Sequence, residues 1–90
     1  MTYDEAIRRL KESPNNLRCK EVTGILSGLG FDVDTGRAGH RTYLHRKIKD
    51  FEGGNFNCGH GRDGFVKEAY VRMIRKVLEC YEEELREMLK

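Results

Sequence analysis

The apolar residues of this chain change rhythm twice, and those two changes restrict the fold more than any other feature of the sequence. Up to about residue 30 the spacing is helical. Tyr3, Ile7 and Leu10 share one face, and Val22, Ile25, Leu26 and Leu29 follow the i, i+3, i+4, i+7 pattern of a one-sided apolar stripe. From Phe31 the period drops to two, with Phe31-Asp32-Val33-Asp34 alternating apolar and polar. Beyond Lys67 it returns to helical spacing through Val71, Ile74, Leu78, Tyr81 and Leu85. Two helices, a strand region and a last helix are therefore predicted in that order.

Local signals set the boundaries. Thr2-Tyr3-Asp4-Glu5 is a capping box that starts the first helix at Thr2. Ser13-Pro14-Asn15-Asn16 ends it, because proline disfavours α geometry in the residue before it. The second helix is predicted from Cys19 to Leu29, stopped by Gly30. Three strands are expected at Phe31–Asp34, His40–Ile48 and Asn55–Cys58, with glycine-containing turns between them. Short loops favour an antiparallel meander. The expected class is α+β, with a three-stranded antiparallel sheet, helices on one face and the other face open. The last helix is predicted as one piece, from Lys67 to Met88. Its stripe past Leu78 looks too long for a small body to cover, and that end would meet a partner or a second copy of the chain.

Ninety residues make one domain with a modest core. No apolar run approaches the roughly 20 residues that a membrane helix needs, and the acidic, polar start does not resemble a signal peptide. The expectation is a cytoplasmic protein without a membrane role. Cys19, Cys58 and Cys80 are odd in number and widely spaced, matching neither a zinc site nor a disulfide framework. They are expected to be free thiols in a reducing compartment. Net charge is only +2, but it is unevenly placed. Arg37, Arg41, Arg46, Lys47 and Lys49 fall in a stretch with no acid, whereas five glutamates crowd the segment from Glu79 to Lys90. A basic stretch attracts phosphate through counterion release; a solvated charged strand has the same composition.

Few side chains have the chemistry to react. His40 follows Gly39 and is flanked by Arg37 and Arg41. A histidine gains and loses a proton near neutral pH, guanidinium groups hold phosphate, and Gly39 would let a nucleic-acid backbone come close. The set suits metal-free RNA cleavage; it also describes an ordinary surface histidine beside two arginines. His45, five residues on, falls on the opposite strand face, with Arg41 and Tyr43. It has a structural or an RNA-contacting role. Tyr43 is a half-buried strand residue or a base-stacking one. His60 and Arg62 lie in the glycine-rich run from Gly59 to Gly64, as solvated loop residues or as a phosphate clamp over the sheet end. No metal or cofactor motif is present.

Residues 17 to about 78 resemble the HicA toxin family. Leu26-Ser27-Gly28-Leu29-Gly30-Phe31 is similar to the family's leucine-rich helix closed by glycine and an aromatic residue. Ala38-Gly39-His40-Arg41-Thr42-Tyr43-Leu44-His45 resembles its Gly-Ser-His-(His or Arg)-x-(Tyr or Phe)-x-His signature, with Ala38-Gly39 in place of the glycine-serine pair. Gly59-His60-Gly61 followed by Tyr70-Val71-Arg72-Met73-Ile74 is similar to the late histidine loop and final helix. The resemblance implies a fold like that of double-stranded-RNA-binding domains. It implies mRNA cleavage by an endoribonuclease and neutralisation by a HicB-type antitoxin. The family's signature histidine maps onto His40, with Arg37, Gly39, Arg41, Tyr43, His45, His60 and Arg62 as RNA or phosphate contacts. Residues 1–14 would be an added N-terminal helix and 79–90 an extension of the last one. Two other functions suit the same sequence: a non-catalytic RNA-binding module, and a protein-interaction domain that uses the long last helix.

Overall fold

A computed structural model describes residues 1–59 and 64–89. The order is α1 (Tyr3–Glu12), α2 (Cys19–Gly28), β1 (Asp32–Thr35), a short 3-10 turn (Arg37–Gly39), β2 (His40–Leu44), β3 (Gly54–Asn57), α3 (Glu68–Cys80) and α4 (Glu82–Met88). The strands form one antiparallel sheet in the order β1-β2-β3. The fold is α+β, as the changes of period predict.

The helices begin where the chemistry supports a beginning. The Thr2 hydroxyl accepts the Glu5 amide at 3.1 Å, satisfying one of the free N–H groups of the first turn of α1. At α2 the Glu21 carboxylate accepts the Arg18 amide at 3.3 Å. Past Gly28 the chain turns back, with the Phe31 amide on the Leu26 carbonyl at 3.0 Å, and enters β1.

Register decides which side chains face the helices. Val33 pairs with Tyr43, and Arg41 with Phe56. This inner face carries Tyr43 and Phe56 into a core that includes Leu10, Val22, Ile25, Leu26, Val71, Ile74 and Leu78, all buried. Burying such side chains supplies the main drive for folding, at about 1.5–3 kcal/mol for each large apolar group. Tyr43 lies directly across from Gly54, and a Cβ there would collide with the phenol ring. The glycine thus makes room for the largest side chain in the centre of the sheet. On the other face Asp32, Asp34, His40, Thr42, Leu44 and Asn55 are exposed.

Three expectations are corrected. First, Cys19 and Cys58 are joined by a disulfide, with Cα atoms 5.3 Å apart, and only Cys80 is a free, exposed thiol. The start of α2 and the end of β3 converge in space although 39 positions separate them. Second, β2 ends at Leu44, well before Ile48. There the His45 ring takes the Lys47 amide, and two turns follow, Ile48 N to His45 O and Phe51 N to Ile48 O, both 3.2 Å. Third, the last helix is two helices that bend at Tyr81 (φ −109°, ψ 28°). The bend brings the Tyr81 ring to 5.8 Å from Phe51 and folds α4 back along α1, burying Leu85 completely. Arg86 holds the arrangement, 2.6 Å from the Asp4 carboxylate and stacked over the Tyr3 ring at 4.6 Å. Glu82, Glu83 and Glu84 occupy the first turn of α4, where negative charge suits the helix dipole. The apolar stripe past Leu78 is therefore covered by the chain itself. Among the described residues no helix is long and apolar enough to cross a membrane.

Candidate functional site

His40 opens β2 and stands exposed on the uncovered side of the sheet. Its position follows from the turn before it. Ala38 (φ 51°) and Gly39 (φ 83°) both take left-handed backbone, which reverses the chain sharply after Arg37. The His40 carbonyl then accepts the Gly36 amide at 2.7 Å and the Arg41 guanidinium at 3.0 Å. The turn is held by backbone bonds, and the imidazole is left to solvent. Arg37 is exposed on the turn; Arg41 is half-buried on the inner face and spends one donor on the His40 carbonyl. Two cations thus flank His40, from different sides.

Gly39 is used differently from the expectation. Its carbonyl accepts the Cys58 amide at 2.9 Å, and a Cβ at position 39 would lie 2.7 Å from the Cys58 carbonyl oxygen. The close approach it permits is to the end of β3, not to a ligand. Tyr43 is 2% exposed and packs edge-on to Phe31 with centroids 5.7 Å apart, so its ring has no face to offer a base. His45 is also buried. Its Nδ1 accepts the Lys47 amide, which leaves the proton on Nε2, donated to the Leu29 carbonyl at 3.2 Å. That imidazole ties the β2 exit to the end of α2. The basic stretch does not form one continuous stripe. Arg37 and Arg41 lie at the start of β2 and Arg46, Lys47 and Lys49 beyond its end, about 15 Å away at strand spacing. Arg46 is paired with Asp32 at 3.0 Å. His60 and Arg62 lie outside the described residues.

Neighbours that sequence reasoning did not single out surround His40. Asn57 is its cross-strand partner, and its side-chain amide donates to the Tyr70 hydroxyl of α3 at 3.2 Å. Next to Asn57, Cys58 bridges to Val66 and Phe65 to Arg18, so the flanks of the glycine-rich loop are built into the same corner. The Gly59 amide bonds the Phe65 carbonyl at 3.1 Å, and the Cys19 amide bonds the Gly64 carbonyl at 2.9 Å. Alternation in Asn55-Phe56-Asn57 would have placed Asn57 beside His40 once the register was known. Nothing local marks Phe65 or the cysteine pair. Among the described residues no group of three or more His, Cys, Asp or Glu side chains is close enough to hold a metal ion.

No family model, curated protein or solved structure matches the chain. The site has to be interpreted from its own geometry.

Proposed function

We propose that the chain is a small endoribonuclease toxin of the HicA type, which cuts mRNA through proton transfer by His40 and is held in check by a HicB-type antitoxin. The observation that carries this reading is the placement of His40: a solvent-facing imidazole on the open side of a sheet, following a turn that exposes Arg37, and across from Asn57. The α-β-β-β-α run from α2 to α3 supports it, being the order that the family resemblance implies.

In this chemistry the imidazole takes the proton of a ribose 2′-hydroxyl, and the freed oxygen attacks the adjacent phosphorus. The bond to the 5′-oxygen breaks, and that oxygen takes a proton from solvent water as the imidazolium returns its own to solvent, giving a 2′,3′-cyclic phosphate and a 5′-hydroxyl end. Cationic side chains stabilise the charge that builds on the phosphoryl oxygens. Arg37, exposed on the turn, is the nearer candidate for that role; Arg41 chiefly fixes the backbone that presents His40. No cofactor enters the reaction. An enzyme that cuts mRNA works in the cytoplasm, where disulfides are uncommon; the oxidation state of Cys19 and Cys58 in cell extract therefore bears directly on this reading.

The test uses labelled RNA. Wild-type protein should release cyclic-phosphate ends, and His40→Ala should lose about 10²–10⁴-fold in rate, the usual worth of a positioned acid or base, with an unchanged circular dichroism spectrum. RNA left intact by wild type under every salt and metal condition defeats the enzyme reading. Retardation of RNA without cleavage would establish instead the non-catalytic RNA-binding module.

A further inference from the structure

The cleft on the α3 side of His40 has features that the cleavage chemistry does not use. It lies between the Ala38–Gly39 turn, the end of β3 at Asn57–Gly59, and the segment from Phe65 to Tyr70. Phe65 is 46% exposed, unusual for so large an apolar side chain. It is not loose. Its backbone bridges to Arg18 and bonds Gly59, and the Arg18 guanidinium lies over its ring, 4.4 Å from the centroid. A cation over an aromatic face favours that orientation of the ring, modestly at an exposed site. The ring is thus a held plate at the wall of an open cleft, with Arg18 over one of its faces.

The surroundings are polar in one sense only. Lys67 is exposed on the same wall, and among the described residues no acid lines the cleft; Arg37, exposed, precedes the lining residue Ala38 in the chain. The Asn57 amide and the Tyr70 hydroxyl form a hydrogen-bonded pair whose remaining side-chain donor and acceptor positions have no partner among the described residues. A flat apolar plate, the Lys67 cation near it and an amide–hydroxyl pair beside it match the three parts of a nucleotide. The base stacks on the plate, the phosphate meets the cation, and base edges or ribose hydroxyls meet the polar pair.

We propose that this cleft binds an unpaired nucleotide of single-stranded RNA, next to the scissile linkage at His40, with Phe65 as the stacking platform and Lys67 as a phosphate contact. The inference rests on the RNA reading of the His40 site and specifies the form of its substrate. Because the platform needs a base free of a pairing partner, duplex RNA gains nothing from it.

The experiment measures binding of labelled single-stranded homopolymer RNA, and of a duplex of the same length, by fluorescence anisotropy. A His40→Ala background allows binding to be measured without cleavage. Adding Phe65→Ala should raise Kd for the single strand about tenfold and leave the duplex unchanged. Phe65→Tyr, which keeps the plate, should bind as the parent does. A Phe65→Ala protein that binds the single strand as tightly as its parent overturns the proposal while leaving His40 chemistry untouched. Equal losses for single strand and duplex also overturn it, since they place Phe65 in the fold of the loop flanks. If the parent binds neither RNA, the RNA reading itself falls, and this inference with it.

Discussion

Breaking the Cys19–Cys58 bond should destabilise the protein more than any single core truncation short of the largest. The bond closes a loop across 39 positions. In the chain-entropy description, a loop of that length removes about 13 cal/mol/K from the unfolded ensemble, worth about 4 kcal/mol at room temperature. A domain of this size is stable by roughly 5–13 kcal/mol in total, so a large part of the margin depends on one covalent bond. At about 4–8 °C per kcal/mol for small domains, the melting temperature should fall by roughly 15–30 °C. The measurement is thermal and urea unfolding of Cys80→Ser protein with and without a dithiol reductant, the free-thiol count being verified by mass. Cys80 is removed because an exposed thiol invites exchange. A fully reduced protein that melts within a couple of degrees of the oxidised one would refute the reasoning. So would peptide mapping that finds Cys19 and Cys58 unlinked after folding in air. The same cycle should loosen the His40 corner first, since the Cys58 amide is bonded to the Gly39 carbonyl.

Two further outcomes follow from the sheet. Gly54→Ala should cost about 1–3 kcal/mol, because the added methyl displaces the buried Tyr43 ring; an unchanged urea midpoint would contradict the packing described. Burial pushes the Tyr43 phenol up from 10.0 to about 12. The fold thus favours the protonated ring, a contribution that is complete below pH 10 and is lost as pH rises through 12. That difference corresponds to roughly 3 kcal/mol. Unfolding midpoints against pH, followed with tyrosinate absorbance, should show stability falling across that window. Tyr43→Phe should remove part of the fall, the rest belonging to Tyr3, whose phenol is also pushed up to about 12 by burial.

The sequence makes some of this architecture legible because short-range physics writes it. The Thr2 cap, the proline stop at Ser13-Pro14 and the change of period at Phe31 each act over a few residues, and each lies where expected. Strand alternation likewise separates His40 from His45 and turns His45 inward. Contacts between distant segments left no such trace. Cys19 and Cys58 meet only because α2 and β3 converge. Tyr81 breaks the last helix because Phe51 stands beside it and Leu85 finds cover against α1. Gly39 looked like a place for a ligand to approach and is occupied by the Cys58 carbonyl. Asn57 and Tyr70 become neighbours of His40 only through register and the lie of α3.

The two carboxylates that β1 displays on the uncovered side of the sheet have an effect of their own. By register Asp34 stands across from Thr42 and Asp32 from Leu44; Arg46 offsets the charge of Asp32, so the negative charge on that margin is concentrated at Asp34, while neutral amides occupy the β3 margin. Any polyanion brought to this surface would meet repulsion at Asp34 and none from the amides of β3. On the RNA reading proposed for His40, approach to the imidazole is therefore easier from the side of Asn57 than from the side of Asp34.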